Sequence, residues 1–167
     1  MKTKTIIMLG CLMIAGLFVW GYFSNGKTGA VQGVKTSNTK GSLTAAETFY
    51  DFGVISMKNG DVAKDFTVSN ATTQDITLKT VLTSCMCTSA FIVKPGGDIK
   101  GPFKMPGMGY VPPANEIIKA GESRIIRVVY NPNAHGPAGV GQIQRFVNLT
   151  LDDGEKLQLE IKALVTP

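Results

Sequence analysis

Histidine and cysteine, which supply many catalytic and metal-binding side chains, are scarce in this chain of 167 residues. The chain contains one histidine, His135, together with three cysteines and one tryptophan. It also has no Gly-x-Ser-x-Gly motif, no phosphate-binding glycine loop and no carboxylate pair in an evident pocket. General acid–base catalysis therefore has few groups to use, and we predict that the protein is not an enzyme.

Strong charge of either sign is missing as well. The formal net charge is +5, and Lys2 and Lys4 near the N-terminus supply two of the positive charges. The other basic residues form no run and no stripe interleaved with aromatic side chains, features that would indicate a nucleic-acid-binding surface. We therefore predict that nucleic acid is not a partner.

One segment, residues 6–23, lacks charged residues altogether. As a helix its 18 residues would span about 27 Å, close to the thickness of the hydrocarbon core of a bilayer. No clear small-residue cleavage site follows it, and Lys2 and Lys4 favour a cytoplasmic N-terminus. We predict that residues 1–23 form an N-terminal transmembrane helix, a single-pass anchor in the bacterial inner membrane. A cleaved signal peptide, which would give a secreted protein, is the alternative.

The chain after this segment has two parts. Residues 24–43 are rich in Gly, Ser, Thr, Asn and Lys and show no periodicity, which is typical of a flexible linker. Residues 44–167 are long enough to build a hydrophobic core of their own. We predict that they form one extracytoplasmic domain.

Seven stretches of the predicted domain show the features of β-strands, and none shows a convincing helical pattern. Apolar residues alternate with polar ones in most of them, and turn signals such as Asp153-Gly154 separate them. The pattern predicts an all-β fold, a seven-stranded immunoglobulin-like sandwich of two antiparallel sheets. The stretches are ETFYDFG, DVAKDFTVSN, DITLKTVLTS, FIVK, SRIIRVVYNP, QRFVNLTL and KLQLEIKALV.

Residues 95–115 interrupt this pattern with five glycines and five prolines among 21 residues. This composition predicts a loop without regular structure. Loops of this length in a compact domain are usually functional or disordered. The segment is therefore either a mobile insertion or a loop that recognises or binds a ligand.

Two of the three cysteines, Cys85 and Cys87, are separated by one residue in a stretch predicted as strand. On an extended strand their side chains point to the same face and their Cα atoms lie about 6.5–7 Å apart, at or beyond the upper limit for a disulfide. A bond between them would need a bulge or a turn and would be easily reduced. Three interpretations stay open: buried inert thiols, a metal site, and a labile redox pair.

If the pair binds a metal, its soft ligands indicate which one. Thiolate and thioether sulfurs select Cu(I) or Zn(II), and methionines favour copper. The candidate Cu(I) site consists of Cys85, Cys87, Met105 and Met108, with the two methionines supplied by the long loop. His135 could add one nitrogen, although a single loop histidine is more often solvated. Zinc fits less well because structural zinc sites usually have four Cys or His ligands.

Three stretches resemble the bacterial domain of unknown function 1573 family, which is similar to the immunoglobulin-like domains of Hydin: FYDFGVISMKNGDVAKDFTVSN, TSCMCTSA and IIKAGESRIIRVVYNP. The resemblance covers about residues 48–165. Met86 departs from the family pattern because it replaces a glycine between the cysteines, and a side chain there favours a regular strand over a tight disulfide turn. The segment between Cys87 and Gly121 is also longer than usual. The resemblance implies a secreted or envelope-exposed β-sandwich and supplies no activity. The matching positions are Phe49 or Tyr50, Asp51, Phe52, Gly53, Asn70, Ser84, Cys85, Cys87, Thr88, Gly121, Glu122, Tyr130, Asn131 and Pro132.

These observations lead to one functional prediction and one alternative. We predict a non-enzymatic, membrane-tethered extracytoplasmic module that binds or organises an envelope protein or polymer. The alternative is a Cu(I)-binding or thiol-redox envelope protein that uses Cys85 and Cys87. Apart from the candidate copper, no cofactor is predicted.

Overall fold

The computed structural model of the protein describes residues 42–167. The predicted membrane anchor (1–23) and almost all of the predicted linker (24–43) lie outside these residues. Within the described part of the chain, no helix is both long enough and apolar enough to cross a membrane.

Ten β-strands make up most of the described residues. Two short 3-10 helices, Met57–Asn59 and Gly136–Gly139, lie in the connections. The strands are β1 (Leu43–Ala45), β2 (Phe49–Ser56), β3 (Val62–Asn70), β4 (Ile76–Thr83), β5 (Thr88–Val93), β6 (Ile99–Phe103), β7 (Glu116–Ile118), β8 (Ser123–Tyr130), β9 (Gly141–Leu151) and β10 (Lys156–Thr166).

The strands form two five-stranded sheets. The first sheet has the order β1-β3-β8-β5-β6, and the second has the order β2-β10-β9-β4-β7. All neighbouring strands are antiparallel except β2 and β10, which pair in parallel. The predicted all-β class and two-sheet architecture are therefore confirmed, whereas the prediction that both sheets are wholly antiparallel is wrong for one edge strand.

The predicted number of seven strands is too low by three. Each of the seven predicted stretches overlaps a strand, and the additional strands are β1, β6 and β7. These three strands have only three to five residues. A period of two cannot stand out in the three residues of β1 or of β7, and Gly101 and Pro102 interrupt it in β6.

The core lies between the two sheets and follows the alternation seen in the sequence. On β10 every second residue from Leu157 to Val165 is at most 5% exposed. On β8 the residues facing the core include Ile126, Val128 and Tyr130, all fully buried. Burying one large apolar side chain contributes about 1.5–3 kcal/mol, so these rows are the main source of stability.

The segment 95–115 is less irregular than predicted. Its first half contains β6, which pairs with β5 and buries Phe103 completely. A Cβ atom at Gly101 would lie 2.9 Å from the carbonyl oxygen of Ala90, so this glycine permits a close approach of two strands. The prediction of no regular structure is therefore wrong for this half, because the glycine allows a strand instead of breaking one.

The second half of the segment, residues 104–115, contains no strand or helix. Its ends are attached to β4, since Thr83 N–H donates to the carbonyl of Lys104 (3.4 Å) and Ala114 N–H donates to that of Lys79 (2.9 Å). Between these ends Met108 is 53% and Tyr110 is 86% exposed. The loop thus begins next to the last residue of β4, where the cysteine motif starts.

Candidate functional site

The two cysteines lie in a turn and not on a strand. Residues 84–87 carry the chain from β4 in the second sheet to β5 in the first, and Thr88 N–H donates to the carbonyl of Cys85 (3.1 Å). The Cα atoms of Cys85 and Cys87 are 5.3 Å apart, inside the disulfide range, and the two sulfurs are bonded. The predicted regular strand is therefore wrong here, because the chain must leave one sheet to enter the other.

Met86 occupies the position at which the family that the motifs resemble has glycine. Among the described residues other than glycine, only Asn115 has a positive φ, so the turn does not require a glycine at position 86. The Met86 side chain is 44% exposed and does not hinder the turn. The expectation that a side chain here favours a regular strand is therefore wrong.

Hydrogen bonds fix both sides of the turn, which we call the cysteine turn (residues 84–87). The buried hydroxyl of Thr83 lies 3.1 Å from the carbonyl oxygens of both Cys85 and Thr88. The Ser84 hydroxyl accepts from Phe146 N–H (2.9 Å), while Ser84 N–H donates to the Phe146 carbonyl (3.0 Å). These bonds tie the first half of the turn to β4 and β9.

The second half is held by the first sheet and the connection after it. Asn131 N–H donates to the carbonyl of Cys87 (2.9 Å), and Thr88 is the first residue of β5. Tyr130 pairs with Thr88 across the sheet and is completely buried. Burial raises the pKa of Tyr130, and the charge of Arg145 partly offsets this effect. The cysteine turn therefore rests on a rigid, mostly apolar end of the sandwich.

The two sulfurs have different surroundings. Cys87 is 2% exposed, and its Sγ atom accepts a hydrogen bond from Arg145 Nε (3.2 Å). Cys85 is only half-buried, and its Sγ atom lies 3.2 Å from His135 Nε2. One sulfur is therefore enclosed beside a permanent positive charge, while the other lies closer to solvent beside an imidazole ring.

Sequence reasoning underestimated His135 and missed Arg145. His135 was expected to be a solvated loop residue, but the connection between β8 and β9 places its ring, although exposed, against Cys85. Arg145 belongs to β9, and its Nη1 atom donates to the carbonyl of Gln144 (2.9 Å). These two residues are 50 and 58 positions from their cysteines, so no local spacing could indicate either contact.

The two candidate methionines occupy different places in the long loop. Met105 is half-buried and follows Lys104, whose carbonyl is bonded to Thr83 N–H beside the cysteine turn. Met108 is 53% exposed. Neither sulfur accepts a hydrogen bond from the described residues of the turn, and their role as copper ligands stays a prediction.

The arrangement offers two kinds of chemistry. In the disulfide form, the pair can be attacked by an external thiolate. In the reduced form, the ligand atoms of Cys85, Cys87 and His135, which all lie within 4.8 Å of one another, could hold a metal ion. Two sulfurs and one nitrogen suit Cu(I) better than zinc, which prefers four ligands. The two forms exclude each other because a metal needs the thiolates.

Several solved structures have a similar fold. A protein of unknown function from Porphyromonas gingivalis W83 matches with TM-score 0.53 and 17% identity over 74% of this chain and 46% of that chain. PapD-like domain 7 of human CEP192 matches with TM-score 0.48 and 11% identity over 84% and 98% of the two chains. The periplasmic chaperone SfaE matches with TM-score 0.41 and 11% identity over 75% and 57%.

At these identities the likeness concerns the fold alone. The chain spans less than half the length of the first solved structures that it matches. The sequence itself matches no protein-family profile and no curated protein. Membership of the domain of unknown function 1573 family therefore stays a prediction based on the motifs.

Proposed function

We propose that this chain is an extracytoplasmic binding module whose Cys85–Cys87 pair exchanges electrons with the thiols of a partner. The observation that carries this proposal is the pair itself: two bonded cysteines in a surface turn, with His135 beside one sulfur and Arg145 beside the other. A disulfide between residues two apart closes a very short loop, so the chain-entropy model assigns it only about 1.5 kcal/mol of stability. Its reactivity is therefore a better reason for its presence than its contribution to folding.

The proposed location rests on two independent features. Residues 6–23 are uncharged and long enough to anchor the chain in the inner membrane, with the sandwich outside. Disulfides persist in oxidising compartments outside the cytoplasm, which fits the bonded cysteines. The motif resemblance to the domain of unknown function 1573 family supports the same location. The proposed partner is an envelope protein or polymer, and the prediction that the module is not an enzyme is kept.

Reduction of the native protein tests the redox proposal. The full-length chain, oxidised and kept folded in mild detergent, is treated with dithiothreitol, and the peptide containing residues 84–88 is followed by alkylation and mass spectrometry. We expect dithiothreitol to reduce the pair without denaturant, because Cys85 is only half-buried, and both cysteines to be alkylated once the acid-quenched protein is unfolded. The Cys85→Ser/Cys87→Ser variant is the control and should consume no dithiol at this site. Reduction that occurs only after unfolding would contradict the proposal.

The second candidate function is Cu(I) binding by the reduced pair, favoured by the ligand cluster of Cys85, Cys87 and His135. Titration of the reduced chain against a competing Cu(I) chelator should give one tightly bound ion, held much more strongly than Zn(II). Replacing both cysteines by serine should abolish binding. Because His135 lies beside Cys85, His135→Ala should weaken binding more than Met108→Ala. If the wild type and the double-serine variant compete equally poorly, copper binding is ruled out.

A further inference from the structure

The two sulfurs of the disulfide differ in how easily an external thiolate can reach them. Cys87 is 2% exposed, whereas Cys85 is half-buried between the exposed residues Ser84 and Met86. A thiolate attacks a disulfide in line with the sulfur–sulfur bond, from the side opposite the leaving sulfur. Cys85 is the more accessible of the two residues for such an attack, because Cys87 is enclosed in the packed end of the sandwich.

The two sulfurs also differ in how well they can leave. Arg145 Nε already donates to Cys87 Sγ at 3.2 Å, and the Thr88 hydroxyl lies 3.7 Å from the same sulfur. The bond from Arg145 Nη1 to the Gln144 carbonyl holds the guanidinium in this position. A hydrogen bond strengthens when its acceptor becomes ionised, so these donors favour Cys87 as the sulfur that carries the negative charge. A better stabilised leaving thiolate departs faster.

We propose that the site accepts electrons from an external dithiol, that the attack falls on Cys85, and that Arg145 stabilises Cys87 as the leaving thiolate. This inference rests on the redox function proposed above and adds the direction of electron transfer and the chemical class of the electron donor.

The reaction runs in two balanced steps. In the first, a thiolate of the dithiol, its proton lost to solvent, forms a bond to Cys85 Sγ while the Cys85–Cys87 bond breaks and its electron pair passes to Cys87. In the second, the other thiol of the dithiol, its proton lost to solvent, attacks the dithiol sulfur that is bonded to Cys85. The bond to Cys85 Sγ breaks, and Cys85 leaves as a thiolate beside His135. The dithiol is oxidised to a disulfide, and the pair gains two electrons and, from solvent, two protons.

The position of the mixed disulfide tests the direction of attack. The oxidised full-length chain is treated briefly with 2-mercaptoethanol, quenched with acid, alkylated with N-ethylmaleimide and sequenced by fragmentation mass spectrometry. A monothiol stops the reaction at the mixed disulfide more often than a dithiol does. We expect the mercaptoethanol adduct on Cys85 and the maleimide on Cys87. An adduct on Cys87, or an even distribution, would overturn the inference.

Two arginine variants test the role of Arg145. Arg145→Gln should slow the first step by roughly three- to tenfold, because the leaving thiolate loses a charged donor. Arg145→Lys keeps a charge and should recover part of the rate. Arg127→Gln is the matched control, since Arg127 is bound to Asp65 on the exposed face of the first sheet and should react at the wild-type rate. A rate for Arg145→Gln equal to that of Arg127→Gln would overturn this role.

These outcomes separate failure of the inference from failure of the proposed function. If the native chain is not reduced at all and its cysteines react only after unfolding, the redox function itself is wrong. If it is reduced through Cys87, the redox function stands and the direction is wrong. Near-ultraviolet circular dichroism checks that each variant is folded, and the wild-type adduct map decides the direction even if Arg145→Gln does not fold.

Discussion

Polar residues meet at both ends of β8, and the two groups differ in how completely they are enclosed. At the start of β8, Arg124 reaches from the first sheet to Glu116 of β7 in the second sheet, with Arg124 Nε 3.0 Å from Glu116 Oε1. Both side chains are buried, and Lys94, Lys100 and Glu122 surround them. We call these five residues the Glu116 cluster. At the other end, the cysteine turn connects the sheets through the chain itself.

The two groups differ in whether their polar atoms remain accessible for reaction. In the Glu116 cluster Arg124 also donates to the carbonyls of Ser123 and Ile117, and no buried side-chain polar atom in the described part of the chain lacks a partner. The cysteine turn instead keeps Cys85 half-buried and the ring of His135 exposed. A closed polar cluster fixes the structure, whereas an open one can react. The following predictions test this contrast.

The largest effect is expected in the closed cluster. Glu116→Ala removes the carboxylate that accepts from Arg124 and leaves a buried guanidinium with Glu122 as its remaining acidic partner. We expect a loss of about 3 kcal/mol in the free energy of unfolding, measured by urea denaturation of the full chain. Lys100→Ala is the control, because this partly exposed ammonium lies 3.9 Å from the same carboxylate and should matter by less than about 1 kcal/mol. Equal losses in the free energy of unfolding for the two variants would show that the buried Arg124–Glu116 pair does not fix the structure.

Reduction of the cysteine pair should have a smaller effect on stability. The loop closed by Cys85 and Cys87 is so short that reduction should lower the free energy of unfolding by only about 1.5 kcal/mol. Urea denaturation with and without a reductant measures this, and the Cys85→Ser/Cys87→Ser variant should not respond to the reductant. If reduction lowers the free energy of unfolding by more than Glu116→Ala does, the cysteine pair has a structural role, as the Glu116 cluster has.

The smallest effect concerns Tyr130, which lies at the cysteine end of β8. Burial raises its pKa above the unfolded value of 10.0, so its contribution to stability is complete below pH 10 and is lost as the pH rises further. The reason is that the unfolded chain ionises this tyrosine first. Between pH 10 and 11, the stability of Tyr130→Phe should therefore decline less steeply than that of the wild type.

The matched control for this experiment is Tyr110→Phe. Tyr110 is 86% exposed in the long loop, so its replacement should leave the alkaline decline unchanged. Denaturation curves at several pH values compare the three proteins. The same decline in Tyr130→Phe and in the wild type would show that the end of the sandwich beneath the cysteine turn admits water.

The parts of the fold that the sequence predicts are those with long local patterns. The alternation from Leu157 to Val165 predicts β10, and its apolar row is buried as expected. The shorter β6 was missed because Gly101 and Pro102, which usually interrupt strands, lie inside it. Its close contact with the Ala90 carbonyl depends on the neighbouring strand and cannot be read from the segment alone.

Of the candidate site, the sequence predicts the two cysteines but not the residues that contact them. Cys85 and Cys87 were selected because of their spacing, but their conformation depends on the change of sheet between β4 and β5, which is a property of the topology. His135 and Arg145 reach them from the connection after β8 and from β9. Contacts between residues this distant along the chain follow from the assembled sandwich and leave no mark on local sequence.

The redox state of the cysteine pair in the cell tests the central claim most directly. Cells producing the full chain are quenched with acid so that thiol exchange stops, and the denatured protein is alkylated before and after reduction. We predict that Cys85 and Cys87 are alkylated only after reductant is added, with Cys11 followed on a separate peptide. Alkylation of both cysteines on denaturation alone, without reductant, would show that they are free thiols and would contradict the account.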